Sequence, residues 1–155
     1  MKINGIPYRT IWTEGDLPEE VFTFDQRFLP FELKTTALRT SEDAALAIER
    51  MLVRGAPLIG ATAAFGRYLA AREAPEGEAG SAYLEERTAR LRKTRPTAVD
   101  LFHALDLSVQ ATSAVYTKED RIRRAFQAAV DFAGASAEQC RQIGLHGLDL
   151  IRAIS

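Results

Sequence analysis

The sequence predicts an α+β fold: a small N-terminal antiparallel sheet of about three strands, followed by a bundle of about six helices. Three observations predict it. Short runs rich in β-branched and aromatic residues are confined to residues 1–38. From Thr40 onward the apolar residues recur at helical spacing. With 155 residues, 46% hydrophobic and 26% charged, the chain has an ordinary globular balance and is long enough to bury a core, which fits one domain over residues 1–155.

The expected strands are Tyr8-Arg9-Thr10-Ile11-Trp12, Val21-Phe22-Thr23-Phe24-Asp25 and Phe31-Glu32-Leu33-Lys34-Thr35-Thr36, separated by turns at Gly15-Asp16-Leu17-Pro18 and Arg27-Phe28-Leu29-Pro30. Three such strands bury little alone, so the sheet must lean on the helices of residues 40–155. Thr40 or Ser41 caps a first helix whose apolar positions are Ala44, Ala45, Ile48, Met51 and Leu52, ended by Arg54-Gly55. The next, from about Pro57 to Arg72, is apolar nearly all round and is expected at the centre, with Gly60 and Gly66 permitting close backbone approach. Ala74 to Gly80 reads as a loop, and Ser81 opens a more polar helix reaching Lys93. Amphipathic helices follow over Thr97 to Val115 and Lys118 to Ala133; Ala133-Gly134-Ala135 then separates a last helix capped by Ser136 with Gln139 at its third position. That helix carries Ile143, Leu148, Leu150, Ile151 and Ile154 and meets no terminating glycine or proline before Ser155, so a downstream domain is expected.

Charge excludes some partners. Lys and Arg number 20 against 21 Asp and Glu, and a net charge of -1 gives no electrostatic reason to expect nucleic acid or an anionic membrane, so any anion site is local. The single cysteine, Cys140, cannot form an internal disulfide, and Met1 to Gly5 lack a signal-peptide core, which predicts a cytoplasmic protein. Arg and Glu interrupt every apolar run before the roughly 18 residues of a membrane span.

The stretch Met51-Leu52-Val53-Arg54-Gly55-Ala56-Pro57-Leu58-Ile59-Gly60 points to function. A tight turn delivers Arg54 to a helix N-terminus, where unpaired N–H groups and the positive end of the helix dipole favour an anion, and Pro57 has no N–H to leave unpaired. Thr94-Arg95-Pro96-Thr97-Ala98-Val99-Asp100-Leu101 repeats the arrangement, with Thr97 and Asp100 spaced as a capping box. Two such corners have the chemistry to hold one phosphate. Either arginine alone fits equally a solvated or carbonyl-bonding loop residue.

Other chemistry-bearing residues carry less. His103 and His146 stand in no His-x-x-x-His or Glu-x-x-His pattern, so no metal is predicted. Cys140 has no CxxC or histidine neighbour and reads as an ordinary helical residue. Asp25-Gln26-Arg27 follows a strand and either presents polar groups to a cleft or is a solvated strand end. Gly60 and Gly66 do not match a dinucleotide fingerprint, because no strand directly precedes them.

Together, Gly5-Ile6-Pro7-Tyr8-Arg9-Thr10-Ile11-Trp12, Asp25-Gln26-Arg27-Phe28-Leu29-Pro30, the Arg54 and Arg95 stretches and Ile143-Gly144-Leu145-His146-Gly147 resemble the N-terminal half of the methylthioribose-1-phosphate isomerase family. The wider family includes ribose-1,5-bisphosphate isomerases and the regulatory alpha, beta and delta subunits of the translation-initiation guanine-nucleotide exchange factor. The resemblance implies an aldose–ketose isomerisation in methionine salvage, 5-methylthioribose 1-phosphate to 5-methylthioribulose 1-phosphate, without metal or nucleotide cofactor, in a homodimer of the complete protein. It implies substrate-binding positions at Arg54, Gly55, Ala56 and Arg95, and no catalytic residue in this portion. The family's catalytic cysteine, in a threonine-histidine-cysteine-asparagine motif, and its aspartate lie in a following Rossmann-like domain, and Cys140 is not that cysteine. Cys140 sits where relatives commonly carry asparagine, and Asp100 and His103 replace a common asparagine and tryptophan. The resemblance equally admits a ribose-1,5-bisphosphate isomerase or a regulatory module without catalysis.

Overall fold

The computed structural model describes residues 2–3, 5–115 and 117–154. Among them a three-stranded antiparallel sheet packs against five helices, an α+β architecture as the residue patterns predict. A two-residue hairpin, β1 (Lys2–Ile3) with β2 (Ile6–Pro7), precedes the sheet. The sheet has the order β3 (Ile11–Thr13), β4 (Val21–Phe24), β5 (Thr35–Leu38), with Trp12 opposite Phe22 and Thr23 opposite Thr36.

Ile11, Val21 and Leu38 enter the common core, so the sheet does lean on the helices. The third strand begins later than its Phe31 start predicts: the pairing runs Thr35 to Phe24 through Leu38 to Val21, the register that buries Leu38 and leaves Phe31 and Leu33 exposed.

Helix α1 (Ser41–Glu49) is capped by Thr40: its hydroxyl accepts from the Asp43 N–H at 3.0 Å, and Asp43 accepts in return from the Thr40 N–H at 2.9 Å. It ends before Met51 and Leu52, which the apolar spacing had placed on it. Met51 takes a φ of 57° and is exposed, and the Leu52 N–H returns to the Ala47 carbonyl at 2.9 Å.

Helix α2 (Ala56–Glu73) is the central one, its residues buried from Leu58 to Ala71. Its two interior glycines are contact points. A Cβ on Gly66 would stand 2.8 Å from the Ala44 Cβ of α1, and one on Gly60 would meet the Asp100 carbonyl. Tyr68 and Arg72 tie the β3–β4 connection down, donating to the carbonyls of Pro18 at 2.5 Å and Leu17 at 2.8 Å.

The remaining helices are α3 (Gly77–Arg92), α4 (Val99–Thr112) and α5 (Lys118–Arg152). Three expectations fail here, the first being the loop to Gly80, since α3 already opens at Gly77 rather than Ser81. The capping box of Thr97 and Asp100 does not form; Ala98 is the N-cap of α4 without a side-chain bond, because the Ala98 N–H closes a turn onto the Arg95 carbonyl at 3.0 Å. The break at Gly134 and the cap at Ser136 are also absent: α5 runs through both, so the expected last two helices are one, anchored in the core by Ala125, Ala129 and Phe132. Ser155, where the chain was expected to continue, lies outside the described residues.

Candidate functional site

Gly55 has a φ of 91°, a left-handed conformation that glycine takes without strain, and it turns the chain directly into α2. The Ile59 N–H is the first to reach back, to the Gly55 carbonyl at 2.9 Å, so the N–H groups of Ala56 and Leu58 have no intrahelical acceptor. Gly55 supplies no capping side chain. Pro57 lies in the first turn, one place beyond the first helical position.

The end of β4 is pinned to this corner: the Gln26 N–H donates to the Leu52 carbonyl at 2.9 Å. Beside it Asp25, 2% exposed, accepts from Arg27 Nε at 2.8 Å and Arg27 Nη2 at 2.6 Å. That bidentate bond to Arg27 holds the Asp25 carboxyl below its ordinary range, against the opposing effect of burial.

A cavity of about 250 Å³ opens at the junction, lined by Arg9, Gln26, Arg54 and Gly55 on the sheet side and by Ser136 and Cys140 of α5 on the other. Among the described residues two arginines and no carboxylate line it, and the start of α2 faces it through Gly55, Pro57 and Leu58. Both features favour a negatively charged ligand. Arg54 is exposed and its Nε makes one long bond to the Met51 carbonyl at 3.3 Å, leaving most of its donors for a ligand. Of the Asp25-Gln26-Arg27 segment, Gln26 reaches this cavity while Asp25 and Arg27 pair with each other.

Of the predicted site residues, Arg54 and Gly55 line this cavity; Ala56, exposed, is next to Gly55 in the chain but is not among the lining residues. Arg95 stands half-buried in the turn between α3 and α4, and it lines neither this cavity nor its neighbour. That neighbour, about 460 Å³ between α4 and α5, contains Asp100, His103 and Asp131 and shares Pro57 and Ser136 with the first. The starts of α2 and α4 are therefore adjacent. His146 lies far along α5, on a shallow surface with Glu138 and Ile143.

Arg9 is the cavity residue that residue patterns missed. It sits just before β3, and its approach to Arg54 depends on a pairing between elements that no local spacing encodes. Its place next to Thr10 in the run Tyr8 to Trp12 was the available signal.

Comparison with known proteins gives the same grouping. The chain is 45% identical over 154 residues to a methylthioribose-1-phosphate isomerase of Rhodospirillum centenum, covering 99% of this chain and 40% of that protein. It is 41% identical over 155 residues to one of Desulfatibacillum aliphaticivorans, covering 100% of this chain and 42% of the relative. It thus spans about 40% of the length of these relatives.

Among solved structures, a 5-methylthioribose 1-phosphate isomerase from Pyrococcus horikoshii superposes with a TM-score of 0.75 at 34% identity, over 82% of this chain and 36% of that one. The delta subunit of translation initiation factor eIF-2B from A. fulgidus superposes with 0.83 at 31% identity, over 93% and 42%. Residues 52–154 match the model of the initiation factor 2 subunit family. With that match over most of the chain, and with methylthioribose-1-phosphate isomerases among its relatives, the chain belongs to the initiation factor 2 subunit family.

Proposed function

We propose that this chain is the N-terminal, substrate-binding part of a sugar-phosphate aldose–ketose isomerase that converts 5-methylthioribose 1-phosphate to 5-methylthioribulose 1-phosphate in methionine salvage. The observation that carries this reading is the cavity, free of carboxylates among the described residues, in which Arg54 and Arg9 meet the open start of α2. It occurs in a chain 41–45% identical to proteins named for that isomerisation.

In this reading the phosphate is held by the Arg54 guanidinium and by the N–H groups around Gly55 and Ala56, with Arg95 reaching in from the adjacent α3–α4 turn. Arg95 has no side-chain partner among the described residues and so remains available for this role. The proton-transferring groups come from a Rossmann-like domain of the complete protein, which works in the cytoplasm as a homodimer without metal or nucleotide. The 155-residue portion is then inactive alone. Ile143, Leu148 and Ile151, exposed on the last turns of α5, support contact with further protein there.

A second reading, a regulatory module that uses the same pocket for sensing or subunit contact, is favoured by one observation: the likeness to the delta subunit covers 93% of this chain. Ribose 1,5-bisphosphate is the alternative substrate, and it requires cations rather than apolar groups at the far end of the sugar.

Steady-state isomerisation by the protein that carries this chain tests all three. Turnover of 5-methylthioribose 1-phosphate with a higher kcat/KM than ribose 1,5-bisphosphate is expected. The reverse preference assigns the bisphosphate, and no turnover of either, with retained sugar-phosphate binding, assigns the regulatory module.

A further inference from the structure

A second cationic cavity, about 430 Å³, lies between α3, the end of α4 and the first turns of α5. It is on a different stretch of α2 from the Arg54 cavity: Arg67, which reaches it, is eleven residues or about 16 Å along the helix from Ala56. Arg67 is 6% exposed and, among the described residues, has only neutral acceptors. Its Nε donates to Thr88 Oγ1 at 3.2 Å, and its Nη1 to the Ser108 carbonyl at 2.8 Å and to Ser108 Oγ at 3.1 Å.

Arg121, 7% exposed, is more poorly satisfied. Its Nη1 is buried and has no hydrogen-bond partner among the described residues. The absence of a side chain at Gly80 leaves room for this guanidinium, since a Cβ there would stand 3.1 Å from Nη1. Burial first, and then the charges of Arg121 and Arg92, pull Arg67 down to about 10, so Arg67 is still cationic at neutral pH.

The surrounding charges do not neutralise the pair. Arg92, also lining the cavity, is held by Asp106, and Glu85 at the wall is the sole carboxylate among the described lining residues and is exposed. Two buried like charges without a counter-ion are unfavourable in a poorly solvated site unless an anion joins them. The hydroxyl of Ser81 at the wall adds a neutral donor. The volume exceeds that of a simple ion and lies within the range of small-molecule sites.

We propose that this cavity is a second anion site, which takes a phosphate group, free or as a small monoester, on the guanidinium groups of Arg67 and Arg121. A tetrahedral dianion matches two forked donors and uses the Arg121 N–H groups that the fold leaves unpaired. The site is independent of the sugar-phosphate reading above, because it shares no residue with the Arg54 cavity.

Arginine Nε–Hε resonances of the 15N-labelled chain report it directly. Titration with inorganic phosphate, and in parallel with glycerol 3-phosphate, is expected to shift the Arg67 and Arg121 signals saturably, while sodium chloride at equal ionic strength does not. The tighter of the two ligands identifies the free ion or the ester as the natural class. Arg121→Met is expected to weaken binding about ten- to a hundredfold while its melting temperature without phosphate stays level or rises, a buried like charge having been removed; Arg121→Lys is expected to bind with intermediate affinity. Arg54→Ala leaves these shifts in place. Equal shifts with chloride, absence of saturation by both phosphates, or unchanged affinity in both Arg121 variants overturns the proposal.

Discussion

Gly60 of α2 passes the main chain of Asp100 so closely that a Cβ on it would stand 2.7 Å from the Asp100 carbonyl oxygen, and 2.8 Å from the Phe132 ring. This crossing sets the start of α4 beside the start of α2. Gly60→Ala gains about 1 kcal/mol in helix propensity. It must also displace a backbone carbonyl, which no rotamer change relieves, and overpacking of this kind costs about 1–3 kcal/mol or more. The expected result is a lower urea midpoint; a midpoint at or above wild type would show that the two helix starts are not in firm contact.

Gly134 gives the opposite expectation. It sits within the continuous α5, and a Cβ there would meet nothing within 4 Å among the described residues. Gly134→Ala should therefore stabilise by about 0.5–1 kcal/mol through helix propensity and a more restricted unfolded chain. Thermal unfolding reads the sign, and a destabilised variant would place a bend at this glycine.

These two glycines mark what local sequence reveals. Gly55, Pro57 and the apolar run after them are local signals, and the positions of α2 and its open N-terminus follow from them. Thr40 was readable as a cap, with Ser41 as the alternative, and the structure selects Thr40. Gly134 was misleading because its effect on α5 is outweighed by the burial of Ala129 and Phe132 on one face. Thr97 and Asp100 had capping spacing, yet the Arg95–Ala98 turn moved the helix start to Val99. Arg9 and the buried pair Arg67 and Arg121 owe their roles to contacts between distant elements, and Arg67 in particular interrupts an apolar helix in a way that a surface-facing stripe would also produce.

Asp25 should give the fold an acid limit. Its carboxyl is held below the ordinary value by the hydrogen bonds to Arg27, so the folded state favours the ionised form. The resulting stability is fully present above the unfolded value near about 4 and is lost as pH falls through the lowered folded value. Asp25→Asn should cost about 1–3 kcal/mol at neutral pH, and the gap between wild type and variant should narrow as the pH drops below about 4. Urea unfolding at a series of pH values checks this; a gap independent of pH would mean that Asp25 acts by shape rather than charge.

Replacing Arg54 or Arg95 by lysine should retain only part of the sugar-phosphate affinity, because an ammonium keeps the charge but lacks the planar two-pronged contact to phosphate oxygens. Competition binding of the complete protein, comparing lysine and alanine at each position, measures this. Full affinity in both lysine variants would mean that charge alone recruits the ligand.

Calorimetric titration of 5-methylthioribose 1-phosphate into the complete protein, with and without Arg54→Ala and Arg95→Ala, tests phosphate binding at the α2 corner most directly. Placing all three proteins in an Arg121→Met background removes any contribution from the α3–α5 cavity. Each alanine variant is predicted to lose about 1.5–3 kcal/mol of binding while thermal stability changes by no more than about 0.5 kcal/mol, as befits arginines on or near the surface. Unchanged affinity alongside a large fall in melting temperature would contradict it and make both arginines structural.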